Sequence, residues 1–518
     1  MNIRKVSALA LSLCLLLTAC GAKGPGETTP STTESASFTD PLIPYATEIR
    51  LSDEGTTVDG KAVSTDSADA VYTAKDIVYY ESGKDFTYGE GTKADEHTKE
   101  EADRHTVVHI TKPGVYALSG KLSAGQIAVD LGEDAKKDPN AVVTLELRNV
   151  DITCTVAPAV IFYNVYECGS TEESKATMEV DTAKAGANVV IPDGTENKIN
   201  GSYVAKIYKS VELNDAGTEV VDSKKLHKYD GAFYSKMSMN IVGGPKGDGL
   251  LSITAANEGL DTELHLTVLG GNIQIRSGND GINTNEDNIS VTAIKGGNLN
   301  ITVTGQTGEG DGIDSNGWLV IDGGTVTASA CGTSGDAGID ADKGVYIRGG
   351  TVVATGNMLD HFEAVQTSVL FTLNGRQNGG ETFTLKQGDK TVITATPANS
   401  FQYMILSSPD LTEGVYQLYR GESQLMGTAG GMQGGKPMGG QMPEGMEKPE
   451  HMQRPEKPQG NPPEGMTPPD GMQMPENMTP PPGGFQLPGN IQQPTGAESK
   501  DFSFVKGYNA FTITGATK

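Results

Sequence analysis

GGNLNITVTGQTGEGDGIDSNGWLVIDGGTVTASACGTSGDAGIDADKGVYIRGG occupies residues 296–350, and its reading decides the fold. Gly-Gly pairs open at 296, 323 and 349, and two more lie upstream at 243 and 270. The steps between them are 27, 26, 27 and 26 residues. A period in this range marks a repeat architecture. Each unit holds short alternating runs such as NLNITVTG, WLVIDGG and TVTASA, rich in Val, Ile and Thr and closed by Gly, Asn or Asp. Such runs read as strands, and no segment of 243–357 has helical apolar spacing. Strands this short cannot bury a face alone, but stacked coil upon coil they share one apolar core. The expectation is an all-β chain whose main body is a parallel β-helix of about 26 residues per coil.

Eleven residues before a pair stand Gly259-Leu-Asp261-Thr-Glu263, Gly312-Ile-Asp314-Ser-Asn316 and Gly338-Ile-Asp340-Ala-Asp342. Gly281-Ile-Asn283-Thr-Asn285 repeats the motif ahead of a loop four residues longer. Strand side chains alternate faces. Leu260, Ile282, Ile313 and Ile339 therefore point inward, followed by Thr262, Thr284, Ser315 and Ala341. Asp261, Asn283, Asp314, Asp340 and Asp342 point outward and form a ladder with rungs about 4.8 Å apart. A second acidic column precedes the glycines, at Glu258, Asp280, Asp311 and Asp336.

Like charges so close repel. A hard cation with six to eight oxygen ligands relieves them, which points to Ca²⁺. Residues 243–357 carry 14 acidic against 5 basic side chains, a net of −9. The candidate metal ligands are Asp261, Asp280, Asn283, Asp311, Asp314, Asp336, Asp340 and Asp342. The competing reading is structural: Asp and Asn cap turns, and amide ladders bond along stacked strands.

The whole chain has 518 residues and a net charge of −26. That balance argues against a nucleic-acid partner, which needs clustered basic residues. Gly and Pro together make 92 residues, while aromatics are only 6 %. Part of the chain is therefore non-globular. Residues 427–497 hold 15 of the 26 prolines and nine methionines, and read as a disordered insert. Met thioethers also suit Cu(I), but only His451 accompanies them. The flanking blocks 369–426 and 498–518 alternate like strands and form a small C-terminal antiparallel β-unit. Residues 45–368 are assigned to the β-helix, with strands before residue 232 as its first coils.

Arg4 and Lys5 precede an apolar run from Val6 to Leu17, which reads as a secretory signal over 1–19. Leu17-Thr18-Ala19-Cys20 resembles the lipobox of bacterial lipoproteins. The resemblance implies lipid on Cys20, a tether over 20–40, and anchoring at the extracellular face of the membrane by that lipid alone. Cys154 and Cys168 can pair or stay two buried thiols. His97 and His105, in DEHTKEEADRH, read as an exposed polar loop.

TKPGVYALSGKLSAGQIAVDL (111–131), IPDGTENKINGSY (191–203), AFYSKMSMNIVGG (232–244), the DGIN, DGID and AGID repeats and ILSSPDL (405–411) together resemble a bacterial family of secreted carbohydrate-binding domain proteins, found notably in clostridia. The resemblance covers roughly 45–426 and the last strands. It implies a right-handed parallel β-helix, similar in fold to calcium-dependent pectate lyases, that binds calcium and cell-wall polysaccharide such as polygalacturonate or cellulose. It pins no catalytic residue here. The acidic stretch at 81–105 and the Met/Pro-rich insert depart from the pattern.

The expected function is calcium-dependent binding of acidic polysaccharide. Neutral glucans need aromatic platforms, and the candidates are few: Phe233, Tyr234, Trp318 and Tyr346. Two alternatives stand beside it: a calcium-dependent lyase with Lys343 or Lys295 as base, and a non-catalytic surface adhesin.

Overall fold

The computed structural model describes residues 46–430 and 497–516. The signal, Cys20, the tether and nearly all of the Met/Pro-rich insert lie outside the described residues. The chain is all-β, and its helices are single short turns such as Lys99–Ala102. No helix among the described residues is long and apolar enough to cross a membrane.

Three ladders of parallel strands follow the repeat. In the first, Glu196–Gly201, Leu250–Ala255, Asn272–Ser277, Asn298–Val303, Thr325–Ser329 and Thr351–Gly356 pair in turn. Leu251, Ile273, Leu299, Val326 and Val352 lie in register, at offsets of 22, 26, 27 and 26 residues. The second runs through Met239–Gly243, Leu266–Val268, Val291–Ile294, Trp318–Ile321, Val345–Ile347 and Phe362–Ala364. The third is a separate eight-stranded sheet from Val71–Ala74 to Ile313–Ser315, parallel except for its first pair. Most rungs add Ile, Val or Leu to one continuous core, while Gly231–Ser235 and Phe362–Ala364 add Phe233 and Phe362. Leu260, Ile282, Ile313 and Ile339 are all buried, as alternation requires, and so are Thr262, Thr284, Ser315 and Ala341.

The glycines have two separate jobs. The second glycine of four of the pairs turns a corner at positive φ: 98° at Gly271, 87° at Gly297, 77° at Gly324 and 79° at Gly350. L side chains disfavour that region. The glycine of the DGI motif instead permits close approach. A Cβ on Gly281 would run into Ile301 Cγ2, and the Gly312 carbonyl would lie 2.5 Å away. Gly281→Ala is therefore expected to cost about 1–3 kcal/mol by overpacking, read as a lower denaturant midpoint. Gly335→Ala, with open space around it, should leave the midpoint in place. Equal midpoints for the two variants would refute the close-approach argument.

Beyond the stack, Ser368–Gln377, Phe383–Gln387, Lys390–Ala395, Phe401–Ser407, Gly414–Arg420, Ser423–Ala429, Phe502–Phe504 and Tyr508–Ala516 enclose a second, aromatic core. Their pairings are antiparallel apart from Ser368–Thr372 with Tyr508–Thr512. The strand Ser423–Ala429 reaches past 426 into the stretch read as insert.

Two further sequence readings meet their answer here. Cys154, Cys168 and Cys331 are free thiols. His105 is buried rather than exposed. Its Nδ1 meets the Glu101 carbonyl oxygen at 3.0 Å, and its Nε2 accepts from the Thr155 amide at 3.1 Å.

Candidate functional site: a covered acidic ladder

Parallel pairing sets Tyr234, Asp261, Asn283 and Asp314 side by side on the eight-stranded sheet. Asp340 follows, its amide donating to the Ile313 carbonyl at 2.8 Å. The second column also forms, with one change. Gly259, Gly281 and Gly312 donate in turn to the carbonyls of Asp280, Asp311 and Ala337. Ala337, not Asp336, thus takes the rung above Asp311, because the last coil carries one residue more between acid and glycine.

The ladder was expected to face solvent. The structure instead buries Glu258, Asp261, Asp280, Asn283 and Asp336, and half-buries Asp311, Asp314 and Asp340; Asp342 is exposed. Part of the cover is an antiparallel hairpin, Val204–Leu213 with Val220–Tyr229. It brings Lys225 within 3.4 Å of Glu263 Oε1 and leads into the Lys228–Asp230 ion pair at 2.7 Å. No repeat signal marked this hairpin. Residues 81–105 lean on it in turn, Tyr208 donating to Glu90 at 3.0 Å. Phe233 and Tyr234 are likewise buried, which removes them as sugar platforms. Trp318 is half-buried and, like Met178 and Val180, packs against the small cluster of Val291, Ala293 and Val320. Lys343 lies 5.1 Å over the Trp318 ring and 4.0 Å from Glu173.

Several carboxylates do structural work, as the capping reading required. Asp280 Oδ1 accepts from the Asp311 amide at 2.7 Å, Asp311 Oδ1 from the Ala337 amide at 2.5 Å, and Asp336 Oδ2 from the Gly310 amide at 2.7 Å. Capping does not exhaust the acids. One oxygen each from Asp311, Asp314 and Asp340 lie within 4.8 Å of one another. Deeper in the face, Glu258 Oε2, Asp261 Oδ2 and Asn283 Oδ1 are buried without a hydrogen-bond partner. Their sister atoms are used: Asn283 Nδ2 donates to Glu258 Oε1 at 3.1 Å, and Asn285 Nδ2 to Asp261 Oδ1 at 2.5 Å. Orphaned buried acceptors are costly, and these three lie on two adjacent strands of the sheet.

Burial, then the neighbouring carboxylates, pushes Glu258, Asp261, Asp280 and Asp311 well above the usual carboxylate range. Asp360, which no motif announced, joins the group. Burial and then Asp340 raise it to about 7. Lys228 moves the other way in charge preference: Asp230, then Glu258 and Asp261, hold it protonated against the cost of burial. Beside this nest lies a polar cavity of about 270 Å³, walled by Lys225, Lys228, Tyr234, Glu263, Asn285 and Asn316 among others.

A stacked all-β scaffold with an oxygen-lined face has a clear affiliation. The chain belongs to the family of carbohydrate-binding domain-containing proteins, whose profile matches residues 104–398. A relative from Acetivibrio thermocellus, itself described as a carbohydrate-binding domain-containing protein, is 30 % identical over 171 residues. The match covers 33 % of this chain and 45 % of the relative, so the chain spans under half of that protein's length. Among solved structures, a polysaccharide lyase-like protein from C. thermocellum, determined as a gadolinium derivative, aligns over 59 % of this chain and 93 % of its own, at 21 % identity and a TM-score of 0.32.

Proposed function

We propose that this protein binds acidic cell-wall polysaccharide through calcium held on its acidic face. The observation that carries the reading is the convergence of Asp311, Asp314 and Asp340 oxygens within 4.8 Å. The unpartnered oxygens of Glu258, Asp261 and Asn283 offer a second set of ligands. Both sets are all-oxygen, the donor chemistry that suits calcium over softer metals. Calcium supplies positive charge where carboxylates crowd, and uronate carboxylates of the polysaccharide complete its shell. The family supports a carbohydrate partner.

The remainder of the proposal concerns architecture and place. The register offsets of 22 to 27 residues support stacked coils of a parallel β-helix ahead of residue 368, with the C-terminal unit built from 368–429 and 502–516. The lipobox-like Leu17–Cys20 supports anchoring at the outer face of the bacterial membrane.

The test is retention of the protein on polygalacturonate with calcium and with chelator, following absorbance of unsaturated uronide ends in the same tubes. Calcium-dependent retention with flat absorbance is expected. Rising absorbance lost on chelation would replace binding with lyase chemistry. Equal retention with and without calcium would refute the calcium reading.

A further inference from the structure

Of the four aromatic side chains that could serve a sugar, Phe233 and Tyr234 are buried, while Trp318 and Tyr346 stay partly exposed. Both belong to the second ladder, where Trp318–Ile321 pairs in parallel with Val345–Ile347. Val320 stands opposite Tyr346. Side chains two residues apart share a face, so Trp318 and Tyr346 lie on the same side of the sheet. Between them sits Gly344, whose carbonyl accepts from the Leu319 amide at 3.3 Å. A Cβ on Gly344 would lie 3.5 Å from the Tyr346 ring, so that ring leans back along its own strand. Trp318 rests on Val291, Ala293 and Val320. The result is a floor of two aromatic side chains on neighbouring strands.

The rim of this floor is charged on both signs. Glu179 meets Arg348 at 2.6 Å, and Asp322 stands 3.7 Å from the same guanidinium. Lys343 lies 5.1 Å over the Trp318 ring and 4.0 Å from Glu173. Glu363 is the strand partner of Tyr346 one rung on. Four carboxylates thus border two cations, and an acidic sugar would be repelled. An uncharged sugar is not. Its C–H face matches an aromatic ring, and its hydroxyls need both donors and acceptors at the edge. The exposed ion pairs supply both, since the side chains of Glu173 and Glu179 are 65 % and 64 % exposed. Two partly exposed rings fall far short of the apolar centre of a stable protein interface.

We infer that the Trp318–Tyr346 face is a second carbohydrate subsite, separate from the acidic face, that takes uncharged pyranose units of a β-linked glycan without calcium. Trp318 and Tyr346 stack on the sugar. Lys343 and Arg348 donate to its hydroxyls, and Glu173 and Glu179 accept from them. The family supports a carbohydrate occupant. The acidic ladder lies on the eight-stranded sheet and this floor on another, so the two subsites share no strand. The inference therefore stands or falls apart from the calcium reading.

The chain has a single tryptophan, so indole fluorescence reports from this face alone. The full chain is titrated with cellohexaose, with xylohexaose and with a galacturonate trimer, each in calcium and in chelator. At least one of the neutral sugars is expected to shift the emission to shorter wavelength, saturably and equally in calcium and chelator. The galacturonate trimer is expected to leave it in place. Tyr346→Ala should bind the neutral sugar about tenfold more weakly, and Tyr346→Phe, which keeps the ring, within about threefold of wild type. No shift with either neutral sugar, a shift that needs calcium, a shift caused by the uronate instead, or undiminished affinity in Tyr346→Ala would each overturn the inference. The wild-type titration needs no variant to fold. Calcium-dependent retention on polygalacturonate without a neutral-sugar shift sinks only this inference, and the reverse outcome sinks only the calcium reading.

Discussion

Stripped of calcium, the protein is expected to lose stability as pH rises from about 4 to about 8, and calcium is expected to remove most of that loss. Asp360 has an ordinary value of 3.8 and a folded one of about 7. Glu258, Asp261, Asp280 and Asp311 shift the same way. A carboxyl whose folded value is raised holds its proton more tightly in the folded state. Its contribution is complete below the unfolded value and disappears as pH climbs through the folded one. For Asp360 alone the loss is on the order of 2–4 kcal/mol once solvent screening is allowed for. Calcium is expected to offset most of this loss because it would replace protons as the partner of the oxygens. At about a hundred times its Kd it adds about 2.7 kcal/mol per site. Calcium affinity itself should therefore rise with pH over the same window. Thermal melts at pH 5 and pH 8, each with chelator and with calcium, make the check. A chelated protein more stable at pH 8 than at pH 5 would contradict the electrostatics.

Asp261→Asn is expected to act with opposite signs in the two states. Asp261 is fully buried, and Oδ2 has no hydrogen-bond partner. Its charge is opposed by burial first, then by Asp230 and Glu263. Asn keeps the shape, removes the charge and places a donor among unpaired acceptors. In chelator at pH 8 the variant should be more stable by about 1–3 kcal/mol. In calcium it should be the less stable protein, with affinity at the nest down about tenfold or more. Loss of stability in both conditions would mean that Asp261 is a structural cap and no ligand.

The repeat was legible because its causes are local. Corners need glycine, as at Gly271 and Gly324, and inward positions need Ile, Leu or Val, as at Ile282 and Ile313. Both recur with each coil and so appear as a period. The columns of Asp261, Asn283 and Asp314 were legible for the same reason, since register follows from the period. Their burial was not. Asp261 owes part of its cover to the hairpin of 204–229, whose alternating polar residues repeat nothing and whose docking is a long-range event. Asp360 escaped notice because its coil carries no DGI motif; only the half-buried position beside Asp340 reveals its role. Asp336 was placed one residue off along its coil because spacing to the glycine, not residue type, decides the register.

The junction between Thr351–Gly356 and Phe401–Ser407 has a consequence for solubility. Strands stacked in parallel leave a row of unspent amides and carbonyls at the end of the pile, and such an edge invites the next molecule to continue it. Here the first ladder ends in an antiparallel pairing, with Val352 opposite Ser407 and Gly356 opposite Tyr403. The change of direction spends those groups within the chain and breaks the pattern that another copy would extend. The aromatic C-terminal unit therefore covers the open edge of the first ladder.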